Sequence, residues 1–372
     1  MNEYENADIR QQDIINQIKD YNKKEIDDMS EETDSKKPGN PDEPSDNPEI
    51  PTVDENELAT GDTTIVAKDD PNVQIVIPEG FAPAILETGR TNSMPGENGK
   101  VKSIMPVDQW NNITKEDINK GIVVVDNAIT YDGGQAVGSV PDFNEYVWIP
   151  MPDSSKFARI AWHGETLGNK ITKRGYWEET SSTEYTEMVD SISINKGFYI
   201  SRYEASEKNS TTAQSKRGQN PWVSVSQTTA KTASSNMKSE MNSHLIYGVE
   251  WDSILQWLLD SNATIGAETG GTKTVTEKDI KSDSRSWGNY YNSVGGAEGS
   301  SGRRNPSGTN EYWKVNNIYD LVGNVREWTQ ENYSTDTLRA VRGGDYYDDG
   351  GYNPAAIRVY IDEGNTYSGK RV

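Results

Sequence analysis

A chain of 372 residues is long enough to bury a real core, as one large domain or two smaller ones, but 33% hydrophobic content is low for a chain folded throughout. Its net charge of −22 leaves too little basic surface for nucleic acid or an anionic membrane to be the main partner. With no cysteine there is no disulfide, no thiolate metal site and no cysteine nucleophile.

The charge is unevenly spread, with 21 acidic and 7 basic side chains in residues 1–70. Residues 1–30 place Ile9, Ile14, Ile15 and Ile18 at weak helical spacing inside that charge, which reads as a frayed helix, disorder or a short oligomerisation coil. The stretch "EETDSKKPGNPDEPSDNPEIPTVDENE" has five prolines and almost no apolar side chain, so residues 1–71 read as a disordered acidic stalk. No signal-peptide pattern is visible at Met1 and no apolar run reaches the ~18 residues of a membrane span. Both leave export by another route, as for a virion component, or an anchor removed from the chain.

Order is expected from Asn72, with residues 72–143 as a strand-containing lead-in. "NVQIVIPEGF" is a β-branched run stopped at Pro-Glu-Gly. "ITKEDINKGIVVVDN" predicts a short helix from Thr114, capped with Asp117 three residues on, and then a strand. Strands are predicted over Glu145–Met151 ("EYVWIPM") and Gly197–Ser206 ("GFYISRYEAS"). Helices are predicted over Ser224–Met237 and Ile246–Asn262. In the second, Trp251, Ile254, Leu255 and Leu258 form one apolar stripe. Beyond it the chain is rich in Gly, Ser, Asn and aromatics, and is expected to run as long packed loops rather than regular elements.

Read in order, "EYVWIPM", "GFYISRYEAS", "NPWVSVSQTTAKTASSNM", "IYGVEWDSIL", "NIYDLVGNVREW", "RAVRGGDYYD" and the closing "GKRV" resemble the segments of the sulfatase-modifying factor family, whose best-known members generate formylglycine. The resemblance covers residues 144–372. It implies an α+β chain with a C-type-lectin-type fold: a small twisted β-sheet, two helices and extensive loops. Carried over position by position, it implies calcium held by the carbonyls of Val322, Gly323 and Val325 and the carboxylate of Glu327, a mixed oxygen shell that suits the ion. The other reading has Glu327 paired with Arg326, Arg339 or Arg342 and no ion. The residues themselves read as structure: Asn316, Asn317, Gly323 and Asn324 tolerate left-handed backbone, while Leu321 and Trp328 are apolar anchors.

The chemistry of that family is not expected here. Formylglycine formation in it depends on paired cysteines, and the related iron-dependent sulfoxide synthases use several histidines. This chain has only His163 and His244, far apart in sequence and read as loop or packing residues. No iron or copper is expected, and no Gly-x-Ser-x-Gly, phosphate-loop or dinucleotide motif appears. The chain therefore reads as not an enzyme, although a carboxylate acid/base pair stays open.

After Arg342-Gly343-Gly344 comes a segment dense in Tyr, Asp, Asn, Ser and Gly, an alphabet that antibody combining loops also use. Asp345, Tyr346, Tyr347, Asp348, Asp349, Tyr352, Asn353, Tyr360, Asp362, Asn365, Tyr367 and Ser368 are the candidate ligand-binding residues. All are reachable by changing adenines of an asparagine codon, so the segment also resembles the C-terminal regions that diversity-generating retroelements rewrite in variable proteins. Fixed loop packing is the other reading. The expected function is ligand binding or adhesion at a cell surface or on a phage virion, with a surface protein or carbohydrate as partner. A fixed structural envelope or virion protein is the alternative.

Overall fold

The computed structural model describes residues 58–87, 99–126, 143–168, 175–298 and 302–366, together with the backbone of short strands at 131–132, 135–136 and 370–371. The expected N-terminal helix, nearly all of the stalk, and Tyr367 and Ser368 lie outside the described residues.

Regular structure begins ahead of Asn72, which corrects the expected end of the stalk. Strand β1 (Thr63–Ala67) pairs antiparallel with β2 (Asp70–Ile77). Ile65 and Ala67 are buried while Thr64 and Val66 face out, a strand alternation that the surrounding acidic composition hid. Next come β3 (Ala82–Leu86), β4 (Val101–Ile104) and helix α1 (Lys115–Asn119). Thr114 caps α1 as its sequence predicts: its hydroxyl takes the Asp117 N–H, and the Asp117 carboxylate takes the Thr114 N–H at 2.9 Å.

Strand β5 (Val123–Val125) then leads to β6 (Glu145–Pro150), β7 (Tyr176–Trp177), helix α2 (Thr183–Asn195) and β8 (Gly197–Ser201). Five strands form one antiparallel sheet in the order β8-β6-β5-β3-β4. The segment read as a lead-in thus supplies three strands to the sheet that contains "EYVWIPM". Strand β6 is central and buried along its whole length, as its unbroken aromatic and β-branched run requires.

Two differences from the sequence reading concern this region. The strand expected to reach Ser206 stops at Ser201, because the Arg202 guanidinium turns inward onto the Glu145 carboxylate and the Asn317 carbonyl. Helix α2 was not expected; its apolar positions Tyr185, Met188, Val189 and Ile192 are interleaved with acidic and hydroxyl residues, and Ser182 caps it.

The two predicted helices are present and slightly shorter, as α3 (Gln227–Ser235) and α4 (Gly248–Asp260). The α4 stripe of Trp251, Ile254, Leu255 and Leu258 is fully buried in the main core. Beyond α4 the expectation of loops alone is corrected. Strands β9 (Arg326–Tyr333), β10 (Leu338–Arg342), β11 (Val359–Asp362) and β12 (Lys370–Arg371) form a second sheet in the order β11-β10-β9-β12, with β7 pairing the far end of β9. "REWTQENY" does not read as a core strand because it is polar, yet most of it is buried. The described chain is therefore α+β, with several small sheets and a few helices.

What lets a polar strand lie inside is a closed set of ion pairs. Glu331 on β9 receives Arg358 Nε at 3.0 Å, Arg159 at 2.5 Å and Arg342 at 3.3 Å. Asp252 on α4 receives Arg342 at 2.8 Å, Arg358, the Trp162 indole N–H at 3.0 Å and the Ile160 N–H at 2.9 Å. Glu165 takes Arg358 at 3.3 Å. Burial works against ionisation of Glu331, but the three guanidiniums hold it below the usual carboxylate range. Burial first, and then the charge of Glu331, push Glu178 up to about 8.

Candidate functional site

The C-terminal loop is built from its supports outward. β10 ends at Arg342, and Gly343 (φ 82°) and Gly344 (φ 74°) turn the chain through left-handed backbone that only glycine adopts freely. The buried Tyr290 hydroxyl donates to the Gly343 carbonyl at 2.7 Å and the Asn353 carbonyl at 3.0 Å, tying both ends of the loop to one side chain. Inside the loop the Asp345 carboxylate accepts the Tyr347 N–H at 2.8 Å, and Asp349 Oδ1 accepts the Gly351 N–H at 2.7 Å. Arg326 on β9 grips Asp348 with Nη2 at 2.6 Å and Nε at 2.9 Å. Burial, and after it the charge of Asp348, push Asp345 above the usual carboxylate range.

On this braced loop the candidate residues divide. Tyr347 is 68% exposed and Tyr352 82%, whereas Asp345 and Tyr346 are buried. Tyr346 instead packs beneath Tyr347, with ring centroids 4.3 Å apart. Asp348, Asp349 and Asn353 are half-buried and hold the loop's shape. The expectation that all of them offer contacts is thus corrected for Asp345 and Tyr346, which the chain's own packing consumes. Tyr291, half-exposed with its hydroxyl 3.4 Å from Asp349 Oδ2, joins Tyr347 and Tyr352 on this surface. Sequence reasoning passed over it, and its one signal was the "NYYN" doublet beside an Asn-rich loop.

Tyr360, Asp362 and Asn365 belong to a different structure. Tyr360, on β11, stacks on Tyr333 at 4.6 Å and 16°, and Tyr333 in turn meets Tyr176 at 4.7 Å. Asp362 accepts the Gly364 N–H at 3.0 Å, and its carbonyl takes the Asn365 N–H. The bracing bonds of the 345–353 loop do not involve these residues.

The stretch from Asn316 to Trp328 is a run of tight turns, as its residues predict. Asn316, Asn317, Gly323 and Asn324 all have positive φ, and so does Asp320. Asn324 is fully buried, its amide donating to Glu204 and to the Asn305 carbonyl at 3.0 Å. Of the expected calcium ligands, Glu327 is buried with its carboxylate over the Cα of Gly343. The carbonyl beside it there is that of Leu321, while the Val322 carbonyl faces Gly288. The Val325 N–H donates to Glu204 at 3.2 Å. The three arginines considered for Glu327 engage other carboxylates: Arg326 with Asp348, Arg339 with Glu363 at 2.5 Å, and Arg342 with Asp252 and Glu331. Among the described residues no group of three or more His, Cys, Asp or Glu is arranged to hold a metal.

Each histidine is engaged by its own neighbours. His163 Nε2 lies 2.5 Å from the Lys281 carbonyl, and His244 Nε2 lies 3.1 Å from both oxygens of Glu250. Glu250 also accepts the Tyr247 N–H at the start of α4, so His244 braces a helix cap. Burial disfavours the imidazolium, but the charge and hydrogen bond of Glu250 raise His244 to about 9. A folded-state value above the unfolded one stabilises fully below pH ~6.5 and is lost as pH rises through that value. Between pH ~6.5 and ~9.5, urea unfolding should show a loss on the order of 1–3 kcal/mol that His244→Gln largely removes.

A cavity of about 730 Å³ lies elsewhere, between α2, β8 and residues 234–246. None of the expected ligand-binding residues lines it, though Glu327 does. No helix among the described residues is long and apolar enough to cross a membrane. No family model matches this chain, and no curated protein matches its sequence.

Proposed function

We propose that this chain is a non-catalytic ligand-binding protein of the sulfatase-modifying-factor-like, C-type-lectin type, in which the loop over Asp345–Asn353 carries the contacts. One observation supports this most: the loop is locked from beneath by Arg326 and Tyr290 while Tyr347 and Tyr352 stand in solvent. Rigid aromatic side chains on a pre-ordered loop bind with little loss of conformational entropy, and such anchors dominate binding energy. The acidic residues around them suit a basic, polar or carbohydrate-bearing surface at the cell exterior or on a host.

The test is a glycan and surface-protein binding array with wild type and the Tyr347→Ala/Tyr352→Ala variant. Signal on a discrete set, weakened about 30-fold or more in the variant, is the expected result. Signal unchanged in the variant would favour the structural envelope or virion alternative. Sequencing the gene's 3′ end across a source population addresses diversification. Substitutions at adenines confined to codons 345–368 make this a diversified receptor, and a uniform end makes it a fixed module. Stoichiometric iron or copper in purified protein would instead favour the enzyme alternative.

The structural calcium ion that the resemblance implies at Val322, Gly323, Val325 and Glu327 would within this reading be held by Glu327 with the Leu321 carbonyl beside it, since the Val322 carbonyl faces Gly288. Excess calcium should then raise the melting temperature by several degrees over chelator-treated protein, and Glu327→Gln should remove the difference. Identical melting in calcium and chelator removes the ion from the reading.

A further inference from the structure

The sheet that contains β6 ends on one side in β8, and among the described residues no strand pairs with that edge. The ladder phase follows from two bonds at its ends: the Met151 N–H donates to the Lys196 carbonyl, and the Arg202 N–H to the Glu145 carbonyl. With Gly197 opposite Pro150 and Ser201 opposite Tyr146, the residues that bond to β6 are Phe198 and Ile200. The N–H and C=O groups of Tyr199 and Ser201 therefore point away from the sheet. Among the described residues no backbone or side-chain group bonds to them.

Such an edge is normally blunted by charge, proline or a covering element. Here it opens into the 730 Å³ cavity. All five residues of β8 line that cavity, those on both faces of the strand alike, as expected when the space runs along the edge. One wall is the α2 stripe that includes Met188 and Ile192; the other carries Met237 and Met241. Methionines make apolar walls that adapt to different side chains. At the margins Asp62 and Glu187 are exposed, while Lys238 is already paired with Asp126 at 2.9 Å and His244 with Glu250 at 3.1 Å. The margin is thus acidic over an apolar floor.

We propose that this groove binds an extended peptide segment bearing lysine or arginine, added as an antiparallel or parallel strand to the free edge of β8. Main-chain hydrogen bonds to Tyr199 and Ser201 supply the attachment, the methionine walls accept apolar side chains, and Asp62 and Glu187 select cationic ones. The site is separate from the aromatic loop, so the two stand or fall independently.

The test uses the full chain and a fluorescein-labelled peptide of alternating valine and lysine, with fluorescence anisotropy as the readout. Saturable binding in the micromolar range is expected. It should weaken about tenfold or more when alternate peptide amides are N-methylated, when glutamate replaces lysine, and in the Asp62→Lys/Glu187→Lys variant. Ser201→Pro removes one outward N–H without touching the Phe198 and Ile200 bonds to β6, and should weaken binding similarly. Tyr347→Ala/Tyr352→Ala should leave it unchanged. No saturation by about 1 mM peptide overturns the proposal. Equal binding of the N-methylated peptide also overturns it, since charge alone would then be the attraction. If Ser201→Pro loses its folded circular dichroism, the N-methyl comparison with wild-type protein decides.

Discussion

Asp252→Ala should destabilise the protein by about 3–5 kcal/mol in urea unfolding, the largest loss expected from any one side chain. The substitution deletes the acceptor of Arg342 and Arg358 and strips the Trp162 indole and the Ile160 N–H of their partner. Arg342, Arg358 and Trp162 are buried and Ile160 is half-buried, so the charges left behind cannot be resolvated without opening the core. The pair Lys120–Glu116 is the control. Both side chains are more than half exposed, and Lys120→Ala should cost under about 0.5 kcal/mol. A loss under about 1 kcal/mol for Asp252→Ala would mean that water reaches the cluster.

Gly323→Ala should cost about 3 kcal/mol or more, and this is the direct test of the tight turns in "NIYDLVGNVREW". Two effects add. The backbone at 323 has φ 73°, where a Cβ is strained. That Cβ would also lie 2.5 Å from the backbone N and O of Asn289, which cannot swing aside as a side chain can. The strand-like bridge between Asn289 and Gly323 and the Asn324 N–H to Asn289 carbonyl bond would then part. Gly164→Ala, at a similar φ but with open space around it, separates strain from overlap and should cost no more than ~1–2 kcal/mol. Equal losses at the two sites would show that the Asn289 contact does not matter.

These variants touch different parts of the sequence reading. Gly323 lies in a segment whose turn residues were legible, because left-handed backbone is a property of single residues and their immediate neighbours. The cap at Thr114, the buried β6 and the α4 stripe were legible for the same reason: capping and periodicity act over a few residues. Asp252 sits beside the predicted Trp251 and carried no signal of its own. Nothing in its neighbourhood announces arginines that arrive from 90 and 106 positions away. The same partnership explains why "REWTQENY" did not read as a core strand. Its polarity makes sense only once Arg159, Arg342 and Arg358 are brought to Glu331.

By itself the sequence determined the local grammar of this protein: an acidic, proline-rich N-terminal region, the strands and helices with strong periodicity, the positive-φ turns around Asn317 and Gly323, and a chain without cysteine chemistry. Only the tertiary structure decided which of two adjacent tyrosines, Tyr346 or Tyr347, is offered to solvent. It alone divided Tyr360 from the 345–353 loop, and left the edge of β8 open to a groove. Burial and strand pairing are set by contacts between segments far apart in the chain, and a residue's own neighbours in sequence do not encode them.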